Sequence, residues 1–334
     1  MAVGVKDVAV AAGVSVGTVS NVLNRPERVS EATVQRVQAA IDELGFVRND
    51  AARQLRAGRS RSIGLVVSDI GNPFFAEVAR GAEDRAAEAG MTVLLGNSDE
   101  GVARQDAHLE LFREQRVNGV LVTPASEDLT LLHRLADGGV PVVLVDREAP
   151  GEAFASVAVD DVEGGRIAAE HLLQAGRRRL VFVGGPRSVR QVADRLEGAR
   201  AAVERVDGAS LEIVEKPALT VLHGRAAGEE IAGRAEADRP DAVFAANDLL
   251  AVGLLQAFSF GSGVEVPGDI ALIGYDDIDF TTATVVPLSS VRQPARLIGW
   301  TAADLLLREI GGDADRDRQV RFRPELVVRE STGS

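Results

Sequence analysis

Between residues 63 and 276 seven short apolar runs rich in β-branched residues recur: IGLVVS, TVLLG, GVLVT, PVVLVD, RLVFVG, DAVFAA and DIALIGYD. Helical stretches of Ala, Leu, Glu and Arg separate them, such as FFAEVARGAEDRAAEAG. A strand that is apolar throughout must be covered on both faces, and a helix between successive strands supplies both the cover and the crossover of a parallel sheet. The alternation therefore dictates an α/β body. Such sheets bind ligands beyond the carboxyl ends of their strands. Here those ends carry Asp69, Asn97, Ser98, Thr123, Asp146, Asn247 and Asp276. Each alone is an ordinary loop-starting residue. Together they predict a cleft that hydrogen-bonds a hydroxyl-rich molecule and rejects analogues that leave its buried groups unpaired.

A chain of 334 residues exceeds the ~250 that one core usually organises, so more than one domain is expected. Charge divides it the same way. The net charge is −13, yet residues 1–62 hold nine basic side chains, Lys6 and eight arginines, against six acids. That segment is thus +3 and the remainder −16, so the body repels DNA while the first segment can approach it. The absence of cysteine excludes disulfides and thiolate chemistry. No apolar run reaches the ~18–20 residues of a membrane span, and MAVGVKDVAV has no apolar core behind a basic patch. A cytoplasmic protein with no membrane partner is expected.

The first segment reads as three short helices, VKDVAVAAG, VGTVSNVLN and SEATVQRVQAAIDELG. Ser30 caps the third, Val34, Val37, Ala40, Ile41 and Leu44 form its apolar face, and Gly45 stops it. The stretch AGVSVGTVSNVLN is poorly chosen for intrinsic helix stability: it holds four valines, Thr18 and Gly17, and a helical glycine costs roughly 1 kcal/mol relative to alanine. Ala9, then Gly13 and Val19, follow helix-turn-helix spacing, in which a small residue lets two helices touch, glycine makes the turn and an apolar residue packs the second helix. Ser15 can cap that second helix and aim its amides at a phosphate. Thr18, Ser20 and Asn24 offer short hydrogen-bonding groups. Asn21 can pair with an adenine edge and Val16 can touch a thymine methyl. Val14, Val19, Val22 and Leu23 are then core.

Carrying these motifs, the chain resembles the LacI/GalR-type transcriptional regulators. The headpiece and hinge resemblance runs from VKDVAVAAG to QLRAGRS, and the body adds NPFFAEV, VDRE, RLEGAR, ANDLLAVG, ALIGYDDI, SVRQPARLIGW and RPELVVREST in the family's order. The resemblance implies an all-α helix-turn-helix headpiece (1–48), a hinge helix and linker (49–62) and an α/β periplasmic-binding-protein-like body of two parallel-sheet subdomains (63–331). The implied subdomains are 63–159 with 290–318, and 160–289 with 319–331. Val16, Gly17 and Asn21 take the base-reading positions, Asn24 and Arg28 lie near backbone contacts, and Leu55 is the wedge into the central base step, beside Ala52 and Arg53 in a hinge that begins at Asn49. Two wedges imply a homodimer on a near-palindromic double-stranded operator. With no heptad pattern after VVREST, a dimer rather than a tetramer is expected.

The same resemblance places Asn72, Phe74, Phe75, Asp146, Arg195, Asn247 and Asp276 at an effector cleft, with Gln293 beside them. Leu219 departs from the pattern: the family often has an aromatic there that stacks on the effector. Val189 and Gln191 replace more specific polar contacts of purine-responsive members, which favours a sugar or sugar derivative. An enzyme is not expected. The first body strand leads into SDIGNPFF instead of a G-x-G-x-x-G turn, no phosphate-binding loop is present, and the four histidines form no H-x-x-x-H pair. No cofactor or metal is called for.

Overall fold

The computed structural model describes residues 3–46, 60–149, 151, 154–260, 262–313 and 318–333. The chain divides into two compact units, Met1–Ser60 and Arg61–Ser334.

In the first unit, α1 (Val5–Ala12), α2 (Val16–Asn24) and α3 (Glu31–Leu44) enclose a small core of Val8, Ala9, Ala12, Val19, Val22, Val37, Ala40 and Phe46. Gly13 makes the turn between α1 and α2 at φ 62°, a left-handed conformation that a side chain would strain. Val14 and Leu23 pack at the edge of this core. Gly45 ends α3 at φ 60°. Ser30 holds the N-cap position of α3, but its hydroxyl pairs with that of Thr33 at 3.0 Å and makes no capping bond to the backbone.

The body contains twelve strands among the described residues, in two six-stranded sheets. Chain order is β1 (Ser62–Val67), α4 (Pro73–Glu88), β2 (Thr92–Asn97), α5 (Val102–Glu114), β3 (Val120–Val122), α6 (Thr130–Asp137), β4 (Val142–Val145) and β5 (Ala155–Val159). There follow α7 (Asp161–Gln174), β6 (Arg179–Gly184), α8 (Arg190–Val203), β7 (Ser210–Glu215), α9 (Val221–Ala232), β8 (Ala242–Ala245), α10 (Asp248–Ser259), β9 (Ala271–Asp276), β10 (Ser289–Arg292), α11 (Ala295–Gly311), β11 (Gln319–Phe322) and β12 (Glu325–Val327). The first sheet runs β11-β5-β4-β3-β1-β2 and the second β12-β10-β9-β8-β6-β7. Every pairing is parallel except β10 with β12. The interior strands β1, β3, β4, β8 and β9 are buried almost throughout, as their unbroken apolar runs require.

Two boundaries of the expected subdomains are corrected. β10 pairs with β9 in the second sheet, and β11 pairs with β5 in the first. The chain therefore crosses between sheets after Val159, after Arg292 and between Phe322 and Glu325. Both misplaced segments are four-residue strands whose pairing is decided by neighbours distant in sequence.

One helix contact bears directly on the site. A Cβ at Gly165 of α7 would lie 1.9 Å from the carbonyl oxygen of Arg195 on α8, and one at Gly198 would lie 1.8 Å from that of Val162. Backbone thus meets backbone where the two helices cross. This brings Arg195 against Asp161, the first residue of α7.

Candidate functional site

On the headpiece, α2 presents two faces. Val19 and Val22 are buried, while Val16, Gly17 and Asn21 are exposed, Val16 at 46%. Ser15 caps the helix: its Oγ accepts from the Thr18 amide at 3.1 Å and lies 2.9 Å from the Thr18 hydroxyl. Asn24 donates to the Ser20 carbonyl at 2.8 Å, and Arg28 is exposed in the short 3-10 turn Pro26–Arg28. Nothing in the headpiece needs a glycine at position 17, since a Cβ there would meet only the Ser15 hydroxyl, at 3.6 Å. Gly17→Ala is therefore expected to stabilise this unit by up to about 1 kcal/mol. Thermal unfolding of the full chain checks this, and a lower headpiece midpoint would contradict it. The hinge residues Asn49, Ala52, Arg53 and Leu55 lie outside the described residues.

In the body, Asn72, Phe74, Phe75, Asp146, Arg195, Leu219, Asn247 and Asp276 all line one cleft. The parallel sheets explain the convergence. Asp146 follows β4, Asp276 ends β9, Asn247 follows β8 and Asn72 follows β1 and its loop, so all leave strand carboxyl ends. The side chains of Asn72 and Asn247 also cap α4 and α10, accepting from the Phe74 and Leu250 amides at 3.0 Å each. Three other polar strand ends do loop work: Asp69 accepts from the Gly71 amide, Asn97 from the Ile70 amide, and Ser98 donates to the Val67 carbonyl; the buried Thr123 hydroxyl has no hydrogen-bond partner among the described residues.

A buried cation organises the cleft. Arg195 donates through Nε to Asp161 at 2.7 Å and through Nη1 to the Ala246 carbonyl at 2.7 Å, lies 3.8 Å from Asp276, and stacks 3.7 Å above the Tyr275 ring. Burial alone would lower its pKa, but the charges of Asp161, Tyr275, Asp276 and Asp146 outweigh that and raise it. Asp276 accepts from Asn72 at 3.1 Å and Gln293 at 2.7 Å. Gln293 is thus a support beside the cleft. Asp146 accepts from Gln191 at 2.9 Å, and the same amide donates to the Asp146 carbonyl at 2.6 Å.

Burial holds the Asp146 carboxyl well above the usual carboxylate range, reinforced by Asp161 and Asp276 and opposed by Arg195. Burial likewise raises Asp276, against the pull of Arg195. Both residues also hold left-handed backbone, at φ 55° and 103°, strain of the kind that concentrates at functional sites. Two buried acceptors here, Asp146 Oδ1 and Gln293 Oε1, receive no hydrogen bond. Phe74 and Phe75 meet edge to face at 5.0 Å, pack in the first-sheet core and also wall the cleft. Sequence reasoning missed Asp161, Ser68 and Glu100 as site residues and gave Gln191 no contact. The signal for Asp161 was the buried arginine itself, which requires a carboxylate partner.

A helix-turn-helix unit followed by a two-sheet α/β body with a polar cleft at its strand ends defines a class: DNA-binding regulators with a periplasmic-binding-protein-like domain. Residues 4–49 match the bacterial regulatory proteins of the lacI family, and residues 169–332 match the periplasmic binding protein-like domain. The chain belongs to the LacI family of DNA-binding transcriptional repressors. It is 34% identical to the HTH-type transcriptional repressor PurR of Photobacterium profundum, with 98% of each chain covered. It is 36% identical to the ribose operon repressor of Bacillus subtilis, again with 98% of each covered. The lac repressor dimer bound to operator and the anti-inducer ONPF superimposes with a TM-score of 0.86 at 28% identity, over 100% of both chains. These relatives are repressors, which sets the enzyme reading aside. Among the described residues, no helix is long and apolar enough to cross a membrane.

Proposed function

We propose that this repressor acts in the cytoplasm as a homodimer on a near-palindromic operator, and that a sugar or sugar derivative in the cleft controls its grip. The unsatisfied Asp146 Oδ1 carries the effector reading. A buried carboxylate oxygen lining a cleft needs a donor, and sugar hydroxyls are donors that bring no charge. Asp276, held by Gln293, completes the acceptor side, and Phe74 and Phe75 give a ring an apolar wall. Leu219 supplies an aliphatic surface on the second subdomain where an aromatic would stack.

The dimer reading draws support from the body surface. Val221, Val252 and Leu255 line an apolar groove, and around it Leu222, Phe260 and Val285 are 76%, 75% and 74% exposed. A second copy would cover such a patch. On DNA, Ser15 and Thr18 position the start of α2 against a phosphate while Val16, Gly17 and Asn21 face bases. Ser20, Asn24, Arg28 and Arg53 make backbone contacts, and Leu55, with Ala52 and Asn49 in the same hinge, wedges the central step. The effector acts by preferring one arrangement of the body, since equal affinity for two states shifts nothing.

Selection of duplexes from a random pool by the full-length protein tests this. The enriched site is expected to hold two inverted half-sites about one helical turn apart. Asn21→Ala should relax preference at one symmetric base pair by about 1–3 kcal/mol. Leu55→Ala should weaken the selected site far more than unrelated DNA. Unchanged preference for Asn21→Ala, or equal losses on both DNAs for Leu55→Ala, would remove that residue from its role.

A further inference from the structure

We propose that Asp277 is a positioning residue that couples the cleft to the hinge: its carboxylate clamps the loop carrying Asp276 to the second and third crossings between the two body sheets. The proposal rests on the reading that cleft occupancy controls operator grip. Asp277 follows Asp276 directly but stands outside the lining of the cleft. Its side chain is 4% exposed. Arg292 Nε donates to one carboxylate oxygen at 2.8 Å, and Arg329 Nη2 lies 2.7 Å from the other. Arg292 is the last residue of β10, where the chain leaves the second sheet for α11. Arg329 lies just beyond β12, the strand on which the chain returns, and β12 begins at Glu325, the register partner of Arg292. One carboxylate thus holds the second-sheet ends of two crossings. The remaining crossing is tied to the third at the first sheet: Arg321 of β11 pairs with Asp160 and Glu148, and the Asp160 amide donates to the Phe322 carbonyl at 3.0 Å.

The clamp is anchored beside the cleft. Asp248, the neighbour of the cleft residue Asn247, accepts from the Ser290 hydroxyl at 2.8 Å and from the Ile278 amide at 2.9 Å. Ser290 Oγ accepts in turn from the Asp277 amide at 3.0 Å. Asp248 and Ser290 are fully buried, so the loop after β9 is fastened to the start of α10 and to β10 together. Asp276 and Asp277 hold consecutive left-handed backbone, at φ 103° and 55°. Such conformations persist only where the surroundings over-determine them, and they gather in switch regions. The ion pairs add stiffness, because opening one strands a charge away from water. Closure of a two-part body turns about the segments that cross between the parts. A ligand that draws on Asp276 therefore carries Arg292 and Arg329, and with them two crossings, along with it. Asp276 has its own supports in Asn72, Gln293 and Arg195, so losing the Asp277 charge spares the cleft contact and loosens its link to the hinge.

The test is the coupling factor, the ratio of operator dissociation constants with and without sugar, measured on the full-length wild type, Asp277→Asn and Arg292→Gln. The probes are the duplex selected from the random pool and whichever of ribose, glucose, galactose and cellobiose raises the wild-type melting temperature most. Asp277→Asn keeps the shape of the side chain and removes its charge. It is expected to lower the coupling factor by roughly 10- to 30-fold, or to unity where the wild-type factor is smaller, within the range of substitutions along coupled networks. Sugar affinity of the DNA-free variant should stay within about twofold of wild type, as for a site whose own supports are intact. Arg292→Gln removes one arm of the clamp at a side chain that is 50% exposed, where substitutions cost little stability. It should lower the factor by roughly 2- to 10-fold, and it carries the test if Asp277→Asn does not fold. A merely structural role would lower the melting temperature and leave the coupling factor as it was. That result in either folded variant, or a fall in sugar affinity as large as the fall in coupling, would overturn the clamp while leaving the sugar cleft standing. Binding of none of the four sugars would overturn the sugar reading and this proposal with it.

Discussion

Arg195→Met is expected to destabilise the body by about 3–5 kcal/mol, the usual result of removing one partner from a buried ion network. For a domain of this size that is a fall in melting temperature on the order of 10 °C. The side chain is only 4% exposed, and its guanidinium serves Asp161, the Ala246 carbonyl, Asp276 and the Tyr275 ring at once. Methionine can fill much of the volume but leaves buried carboxylates without a counter-charge. Arg195 opposes the upward pKa shifts of Asp146 and Asp276, so its loss raises both further. The deficit should then shrink as the pH falls and these carboxyls take up protons. Arg195→Lys should recover only part of it, because an ammonium cannot make the planar two-edged contacts or the ring stack. Calorimetric unfolding across pH 5–8 measures all three. A loss below about 1 kcal/mol, or a deficit that grows at low pH, would contradict the network.

Asp146→Asn should do the opposite to stability while impairing the site. Asp146 is a carboxyl whose folded pKa lies above its unfolded value. Such a group costs the folded state nothing below the unfolded pKa, and its penalty accumulates as the pH rises through the folded one. Asparagine removes that penalty, so the variant should be more stable than the wild type near pH 7 and no different near pH 4, as substitutions at strained functional positions often are. The amide oxygen can still accept from Gln191, 2.9 Å away in the wild type. The amide nitrogen then stands where the unpaired Oδ1 was, presenting a donor in place of an acceptor. Loss of a hydrogen bond to a charged group is worth about 1.5–3 kcal/mol, so effector affinity should fall roughly 10- to 150-fold. Unfolding curves at the two pH values and a titration with any bound sugar check both halves. A destabilised variant that retains full affinity would reverse the assignment.

The sequence carried the cleft further than it carried the chain path. Of the nine residues expected at the effector cleft, eight line one pocket and Gln293 stands outside its lining; the eight converge because the carboxyl ends of parallel strands share one edge and the strands were visible as apolar runs. Five strands were not visible. β5 is a short strand beyond the last run of the first sheet, β7 alternates exposed and half-buried positions at a sheet edge, and β10, β11 and β12 are three or four residues long and each begins on a polar residue. Their order depends on long-range pairing, which local pattern does not encode. Asp161 was missed for a related reason. Beside Asp160 and Glu163 it reads as one of several acids that suit a helix N-terminus. Its partner, 34 residues away, is set by the crossing of α7 and α8 over Gly165 and Gly198. Ser68 and Glu100 follow β1 and β2 in loops whose neighbours, Asp69 and Asn97, serve only the turn.

The central claim is that cleft occupancy and operator binding are coupled through one protein. Its most direct test is the operator affinity of the full-length repressor, measured with and without a sugar that raises its melting temperature. Coupling of the usual size predicts a change of roughly 5- to 150-fold, in either direction, and the operator must change the affinity for that sugar by the same factor. A sugar that saturates the cleft and leaves the operator dissociation constant where it was would contradict the account.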